Sequence, residues 1–184
     1  GLAADGGLFV PDSIPKLSMS LQELSKLSYQ DLAYEIMKLY LTDFTEEELR
    51  FCIRSAYDDK FDCPEIAPVV KEGKFFYLEL FHGKTLAFKD MALSILPYLL
   101  KVSTRKNNIK EKIVILTATS GDTGKAAMEG FSDVEGTEII VFYPKDGVSD
   151  FQERQMKVQR GNNTHVAAIL GNFDDAQSGV KQIF

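Results

Sequence analysis

The sequence predicts an α/β protein, a helical N-terminal region followed by an open parallel βαβ sheet. Three observations carry that prediction. Between residues 18 and 41 the apolar residues Leu21, Leu24, Leu27, Leu32, Ile36 and Leu39 recur mostly at spacings of three and four, the period of a helix face. From residue 112 onward, short β-branched runs alternate with helical stretches, which predicts a parallel sheet with helices packed on its faces. A glycine-bearing turn, Thr117-Ala118-Thr119-Ser120-Gly121-Asp122-Thr123-Gly124, joins the first of those runs to its helix.

Taken in order, residues 1–15 are punctuated by Gly and Pro and read as an irregular arm. Ser28 is a fresh N-cap with Asp31 in the first turn after it, so the stretch to about Leu41 divides into two helices. Thr45 followed by Glu46-Glu47-Glu48 caps a third, running to about Tyr57, with the acidic faces turned to solvent. After Pro64 and Pro68, residues Lys74 to Phe81 are aromatic-rich and suit a strand. Asp90 to about Lys101 reads as a helix bent or interrupted at Pro97, and Thr104 to Asn108 as a basic, exposed loop. Strands are expected over 112–117, 138–143 and 165–169, and helices over 123–131, 149–160 and from Asp174 onward. The organisation read from this is an arm and helical region over 1–73 and the first part of an α/β domain over 74–184.

Composition narrows the function. With 184 residues, 45% hydrophobic and 26% charged, the chain has the make-up of a globular protein. Its net charge of −6 argues against a nucleic-acid or anionic-membrane partner. No apolar run approaches the ~18 residues of a membrane span, and no basic-then-apolar leader opens the chain. Cys52 and Cys63 are too few for a disulfide framework and point to a reducing, cytoplasmic setting, while two histidines, His82 and His165, do not suggest a zinc site. The chain opens without methionine and ends in what reads as an unfinished helix, so it is expected to be a piece of a longer protein.

Two segments carry chemistry. Lys89 lies between the apolar run Leu86-Ala87-Phe88 and the acid Asp90, just before a helical stretch. A lysine with one dry and one anionic side suits amine chemistry, because desolvation favours the neutral amine that forms a Schiff base with a carbonyl. The plainer alternative is a solvated lysine at a helix start. The second segment is the turn at Thr119–Gly124, at the carboxyl end of a strand, where open parallel sheets bind ligands. Gly121 and Gly124 permit a tight path with converging amides, and Ser120 and Thr123 add hydroxyls. The alternative is a plain capped turn with Asp122 or Thr123 as N-cap. The turn is not a nucleotide P-loop, since two residues rather than four separate its glycines and Ala126 follows the lysine. No dinucleotide G-x-G-x-x-G pattern is present either. A carboxylate within an anion cradle is repulsive, so the turn is expected to bind through amides and hydroxyls, with Asp122 turned away or facing a protonated group.

Together these segments resemble threonine synthases, pyridoxal-phosphate enzymes of fold type II in the tryptophan-synthase-β-like superfamily. Four stretches carry the resemblance in the right order: Gly1 to Pro11, Leu80 to Asp90, Leu116 to Gly124, and Tyr143-Pro144 through Gly147, Ser149 and Gln152. The resemblance implies a parent enzyme that converts O-phospho-L-homoserine and water into L-threonine and phosphate. It implies that Lys89 holds pyridoxal 5'-phosphate as an internal aldimine and, once freed, shuttles protons along the substrate. It gives Ser120, Gly121, Thr123 and Gly124 to the substrate carboxylate, and Asp122 to the cofactor face.

The chain departs from the family at Lys84, where a proline is usual before the Thr of the lysine segment. That cation either attracts the substrate phosphate or is a surface substitution. Gly171-Asn172-Phe173-Asp174 mimics the family's cofactor-phosphate loop but lacks its second glycine, and is rejected as that loop. The sheet therefore reads as truncated, and the 184-residue piece is expected to be inactive by itself. A phospholyase of the same fold and a non-catalytic small-anion-binding module are the alternative functions.

Overall fold

The computed structural model describes residues 3–183. Gly1 and Leu2, which open the first family-like stretch, and Phe184, at the end of the last helix, lie outside the described residues. The chain divides into two compact units, residues 1–54 and 55–184.

The first unit is helical, and its side-chain chemistry sets each helix start. Helix α1 (Leu21–Leu24) opens on a capping box in which Ser20 and Glu23 satisfy each other's backbone amides. Helix α2 (Tyr29–Met37) is capped by Ser28, as its sequence suggests. Helix α3 (Glu46–Ala56) starts at a reciprocal Thr45–Glu48 pair and buries Leu49, Cys52, Ile53 and Ala56, one face of the helix. Arg50 ties α3 to α2, with Nε 2.8 Å from Glu46, an NH group 3.1 Å from Asp31 and its guanidinium 3.9 Å from the centre of the Tyr34 ring.

The second unit begins with an antiparallel hairpin, β1 (Val69–Glu72) and β2 (Phe75–Leu78). The sequence showed only its second strand. Val69 and Val70 lead directly into Lys71-Glu72, too short a run to signal a strand. The turn is Gly73-Lys74, with Gly73 at the positive φ of 59° that tight hairpin turns favour. Val69, Phe75, Phe76, Tyr77 and Leu78 are all more than half exposed.

Two short helices follow, α4 (Asp90–Leu93) and α5 (Leu96–Lys106). The break falls at Ser94-Ile95, ahead of Pro97, which occupies the first turn of α5 where a missing N–H is tolerated. Helix α5 runs on through Thr104, Arg105 and Lys106, which the sequence reading placed in a loop. Lysine and arginine are good helix formers, and their charges favour the last turn of a helix. Polarity alone was the wrong guide there.

The remainder is the expected alternation. Strands β3 (Ile113–Ala118), β4 (Thr137–Pro144) and β5 (Thr164–Ile169) form a parallel sheet in that order, so the fold is α/β with an open parallel sheet. Helices α6 (Asp122–Phe131) and α7 (Asp150–Lys157) connect them. Both cover the face of β4 that carries Ile139, Val141 and Tyr143, where Ala127, Met128, Phe131 and Met156 complete the core. Helix α8 (Phe173–Ile183) covers the opposite face, where Ala176, Val180 and Ile183 meet Phe142 and Ile169. Helix α4 packs tightly on α6. A Cβ at Gly130 would stand 2.4 Å from the Leu93 carbonyl oxygen, a separation only glycine allows. That crossing brings the segment before α4 beside the N-terminal end of α6.

Candidate active site

The lysine segment is held by Asp90. This residue is buried, and its carboxylate accepts two bonds from Thr85, from the backbone N–H at 2.8 Å and from the hydroxyl at 2.6 Å. Gly83 lies so close that a Cβ there would be 2.5 Å from Asp90 Cβ. Between these anchors the chain turns sharply, and Leu86 sits at φ +61°, a left-handed conformation that costs a non-glycine residue about 1–2 kcal/mol. Helix α4 then starts at once and is pinned from outside by the Tyr57 hydroxyl, which donates to the Met91 carbonyl at 2.7 Å.

Lys89 is the residue before α4, already in helical conformation. Its side chain is 28% exposed. Nζ lies 3.3 and 3.4 Å from the two oxygens of Asp122 and 4.2 Å from the centre of the Phe88 ring. The anionic neighbour of Lys89 is thus Asp122, the first residue of α6. Asp90, which adjoins Lys89 in sequence, is turned into the Thr85 clamp. The structure therefore joins the two segments that the sequence singled out separately.

The glycine turn is organised by Thr119, a residue with no distinguishing sequence signal. It is buried, its N–H bonds to the Phe142 carbonyl on β4, and its Oγ1 makes three hydrogen bonds. It accepts from Gly121 N–H at 3.0 Å and Gly124 N–H at 2.9 Å, and donates to the Gly121 carbonyl at 3.1 Å. Neither Asp122 nor Thr123 is the N-cap. That position is Gly121, which brings no side-chain bond, and Thr119 caps α6 from outside. Gly121 and Gly124 lend the turn its shape, with both amides directed inward. Gly124 is wedged against Thr119, Val141 and Met156, where a Cβ would meet atoms at 2.6–3.0 Å. The groups at the mouth are the N–H of Asp122 and Thr123, which a helix start leaves unpaired, and the hydroxyls of Ser120 and Thr123. Among the described residues no hydrogen bond occupies these hydroxyls. A helix start with free donors favours an anion.

The second side chain missed from the sequence is Gln152, in the first turn of α7. Its carboxamide lies against Gly121, at 2.4–2.8 Å from where a Cβ would stand. The signal for its cap role was present, since Ser149 and Gln152 form the S-x-x-Q spacing of a capping box.

Lys84 turns toward α6, its Nζ 3.5 Å from Glu129. Glu129 also receives Lys125 and Gln159, each at 3.2 Å. Burial is the largest influence on the Glu129 carboxyl and pushes its pKa up, yet the Gln159 bond and the two lysines outweigh it and hold the group below the usual carboxylate range. The Gly171 turn is filled from within. The Asp175 carboxylate accepts from Asn172 N–H at 2.8 Å and occupies the space beside Gly171, which leaves no cradle for a phosphate there.

Ahead of the lysine segment, His82 bridges two carboxylates, with Nε2 2.9 Å from Glu79 and Nδ1 2.6 Å from Asp62. The bond to Glu79 and then that to Asp62 raise its pKa above the ordinary value of about 6.5. The raised value belongs to the folded state. The bridge therefore stabilises fully below the ordinary pKa and loses its contribution as pH rises through the folded one. In a two-dimensional NMR titration, the His82 midpoint is expected to drop with Glu79→Gln and, by less, with Asp62→Asn. A midpoint that ignores both changes would rule the bridge out.

Residues 1–57 match the family model for the threonine synthase N terminus. The chain is 40% identical over 189 residues to the threonine synthase of Pseudomonas aeruginosa, covering all of this chain and 39% of that protein. Among solved structures, threonine synthase from yeast superposes with a TM-score of 0.89 at 37% identity, covering all of this chain and 39% of that one. The PLP-bound threonine synthase from Brucella melitensis superposes with a TM-score of 0.86 at 36% identity, again over all of this chain and 40% of that one. The chain thus spans about two-fifths of the length of the bacterial and fungal threonine synthases it matches. No described helix is long and apolar enough to cross a membrane.

Proposed function

Since the chain belongs to the threonine synthase family, we propose that it supplies the lysine and the carboxylate-binding turn of a pyridoxal-phosphate enzyme that makes L-threonine and phosphate from O-phospho-L-homoserine and water. The observation that carries this reading is the meeting of the two segments: Lys89 Nζ stands 3.3 Å from Asp122, the residue that opens the helix of the glycine turn.

The residues fit the reactive end of pyridoxal phosphate. A partly covered amine for its carbonyl lies beside an aromatic face and a carboxylate, at the mouth of an anion-favouring turn. When bound, that cofactor supplies an electron sink for a carbanion next to the substrate nitrogen. Lys89 would anchor the cofactor and, when released, take and return protons at its Nζ along the substrate chain. Asp122 would face the cofactor and already holds the positive charge of Lys89 on that side. Ser120 and Thr123, with the unpaired amides at the start of α6, orient the substrate carboxylate, while Gly121 and Gly124 let the backbone approach it. The Asp90–Thr85 clamp keeps the lysine segment in its strained turn. The net reaction breaks the bond between Cγ and the phosphate oxygen and one Cβ–H bond, puts the hydroxyl of water on Cβ, and puts a proton on Cγ, which becomes the methyl group.

The cradle for the cofactor phosphate falls, on this reading, to the rest of the protein, and the 184-residue chain by itself is expected to be inactive. Neither Cys52, which is buried, nor Cys63 is in a disulfide, which suits a reducing compartment. We place the protein in the cytoplasm.

The test is product analysis with the full-length protein, pyridoxal phosphate and O-phospho-L-homoserine. Threonine and phosphate in equal amounts are expected. Phosphate with 2-oxobutyrate would make the protein a phospholyase. Saturable anion binding without any turnover would leave a binding module.

A further inference from the structure

Gln152 belongs to the β4–α7 connection, but its side chain closes the glycine turn of β3–α6. Strands β3 and β4 are parallel neighbours with Ala118 opposite Phe142, so the two connections emerge side by side at the carboxyl edge of the sheet. Open α/β sheets place ligands in such crevices. Helix α7 opens with Ser149 as N-cap, and Gln152 is its third residue. From there the carboxamide reaches Gly121, and a Cβ on that glycine would stand 2.4 Å from Nε2, 2.7 Å from Cδ and 2.8 Å from Oε1. The planar group therefore rests on the glycine's Cα, over the residue between Ser120 and Asp122.

The two ends of the carboxamide differ. Oε1 has a local task, accepting from the Ser149 hydroxyl at 3.1 Å and the Ser149 N–H at 3.4 Å. An N–H can meet only the oxygen, which fixes the orientation of the amide. Nε2 is the end left over, and no hydrogen bond among the described residues occupies it. The capping task alone does not require glutamine, because glutamate serves equally at this position of a capping box. A glutamate here would place a second carboxylate beside Asp122 at the mouth of a turn whose free donors favour an anion. Glutamine keeps the cap and presents a donor instead.

We infer that Gln152 is a specificity-determining residue of this turn, its Nε2 donating to the same substrate carboxylate that Ser120, Thr123 and the start of α6 receive. The inference rests on the reading of the turn as the carboxylate site. It gives a task to the last residue of the Tyr143–Gln152 stretch, which the chemistry of Lys89 leaves unexplained. The ligand group is an α-amino-acid carboxylate, held between two adjacent strand-to-helix connections.

Gln152→Glu separates the two tasks, since it preserves side-chain length and the capping box while replacing the donor with a negative charge. In the full-length protein, KM for O-phospho-L-homoserine is expected to rise about 10- to 100-fold, the range for loss of a hydrogen bond to a charged group. The turnover number and melting temperature should stay near wild type. KM is a property of the folded fraction, so partial unfolding would not hide the effect. A second readout compares two inhibitors of the same variant: inhibition by L-threonine should weaken in Gln152→Glu, while inhibition by L-threonine amide, which lacks the carboxylate, should not. Wild-type KM in Gln152→Glu, or equal weakening for acid and amide, would reduce Gln152 to a helix cap and overturn the inference. Ser120→Ala with Thr123→Val tests the underlying reading separately. If that pair leaves KM unchanged, the turn is not the carboxylate site and both proposals fall. If it raises KM and Gln152→Glu does not, only the inference about Gln152 falls.

Discussion

Replacing Lys89 with alanine in the full-length protein is expected to abolish threonine formation while leaving the fold intact. Proton transfer by a positioned side chain alone contributes about 10²- to 10⁴-fold, and loss of the cofactor anchor adds to that. The structural cost is small. The Lys89–Asp122 pair is half exposed on the Asp122 side, and pairs of that kind contribute about 0–1 kcal/mol. Lys89→Arg is the sharper variant. It keeps a positive charge beside Asp122 and Phe88, but arginine stays protonated and offers no free amine. Steady-state assays should find both variants inactive, with circular dichroism and melting curves like those of wild type. Substantial turnover in Lys89→Arg would mean that charge beside Asp122, not amine chemistry, is what the reaction needs.

Thr119→Val is expected to lower the stability of the site strongly. Valine matches threonine in shape but removes the hydroxyl that accepts from Gly121 and Gly124. Two backbone N–H groups are then left unpaired in a buried turn, at about 1–3 kcal/mol each, so a loss of about 2–6 kcal/mol is expected. Because those bonds shape the mouth of the turn, substrate binding should weaken as well. Urea denaturation of the full-length protein provides the measure, with Thr119→Ser as the control that restores the hydroxyl and most of the stability. A wild-type midpoint in Thr119→Val would show that the turn holds its shape without this residue.

Much of the fold was legible because its signals are local. Ser28 and Thr45 announce helix starts by short-range hydrogen bonds, and the β-branched runs of β3, β4 and β5 are bounded by turn residues. Strand β1 was not, because Val69 and Val70 gain strand character from pairing with Tyr77 and Leu78 across the hairpin. The end of α5 was misread because basic residues were weighed as polar rather than as helix formers. At the site, the sequence marked both segments, and the family resemblance supplied roles for them.

What it did not reveal is how the segments are held. Asp90 adjoins Lys89 in sequence, yet its carboxylate serves Thr85. Asp122, more than 30 positions away, faces the amine instead. Thr119 and Gln152 act through a strand end and a neighbouring connection, relationships that only the parallel register creates. The inward direction of the Gly121 and Gly124 amides likewise depends on one hydroxyl, that of Thr119, which nothing in a string of small residues sets apart.

The most direct test of the central claim is to fix the cofactor chemically where it binds. The full-length protein would be incubated with pyridoxal phosphate, reduced with borohydride, digested and mapped by mass spectrometry. The account predicts one pyridoxyl group, carried by Lys89. A label on Lys84, Lys125 or another lysine, or stoichiometric cofactor binding with Lys89 unlabelled, would contradict it.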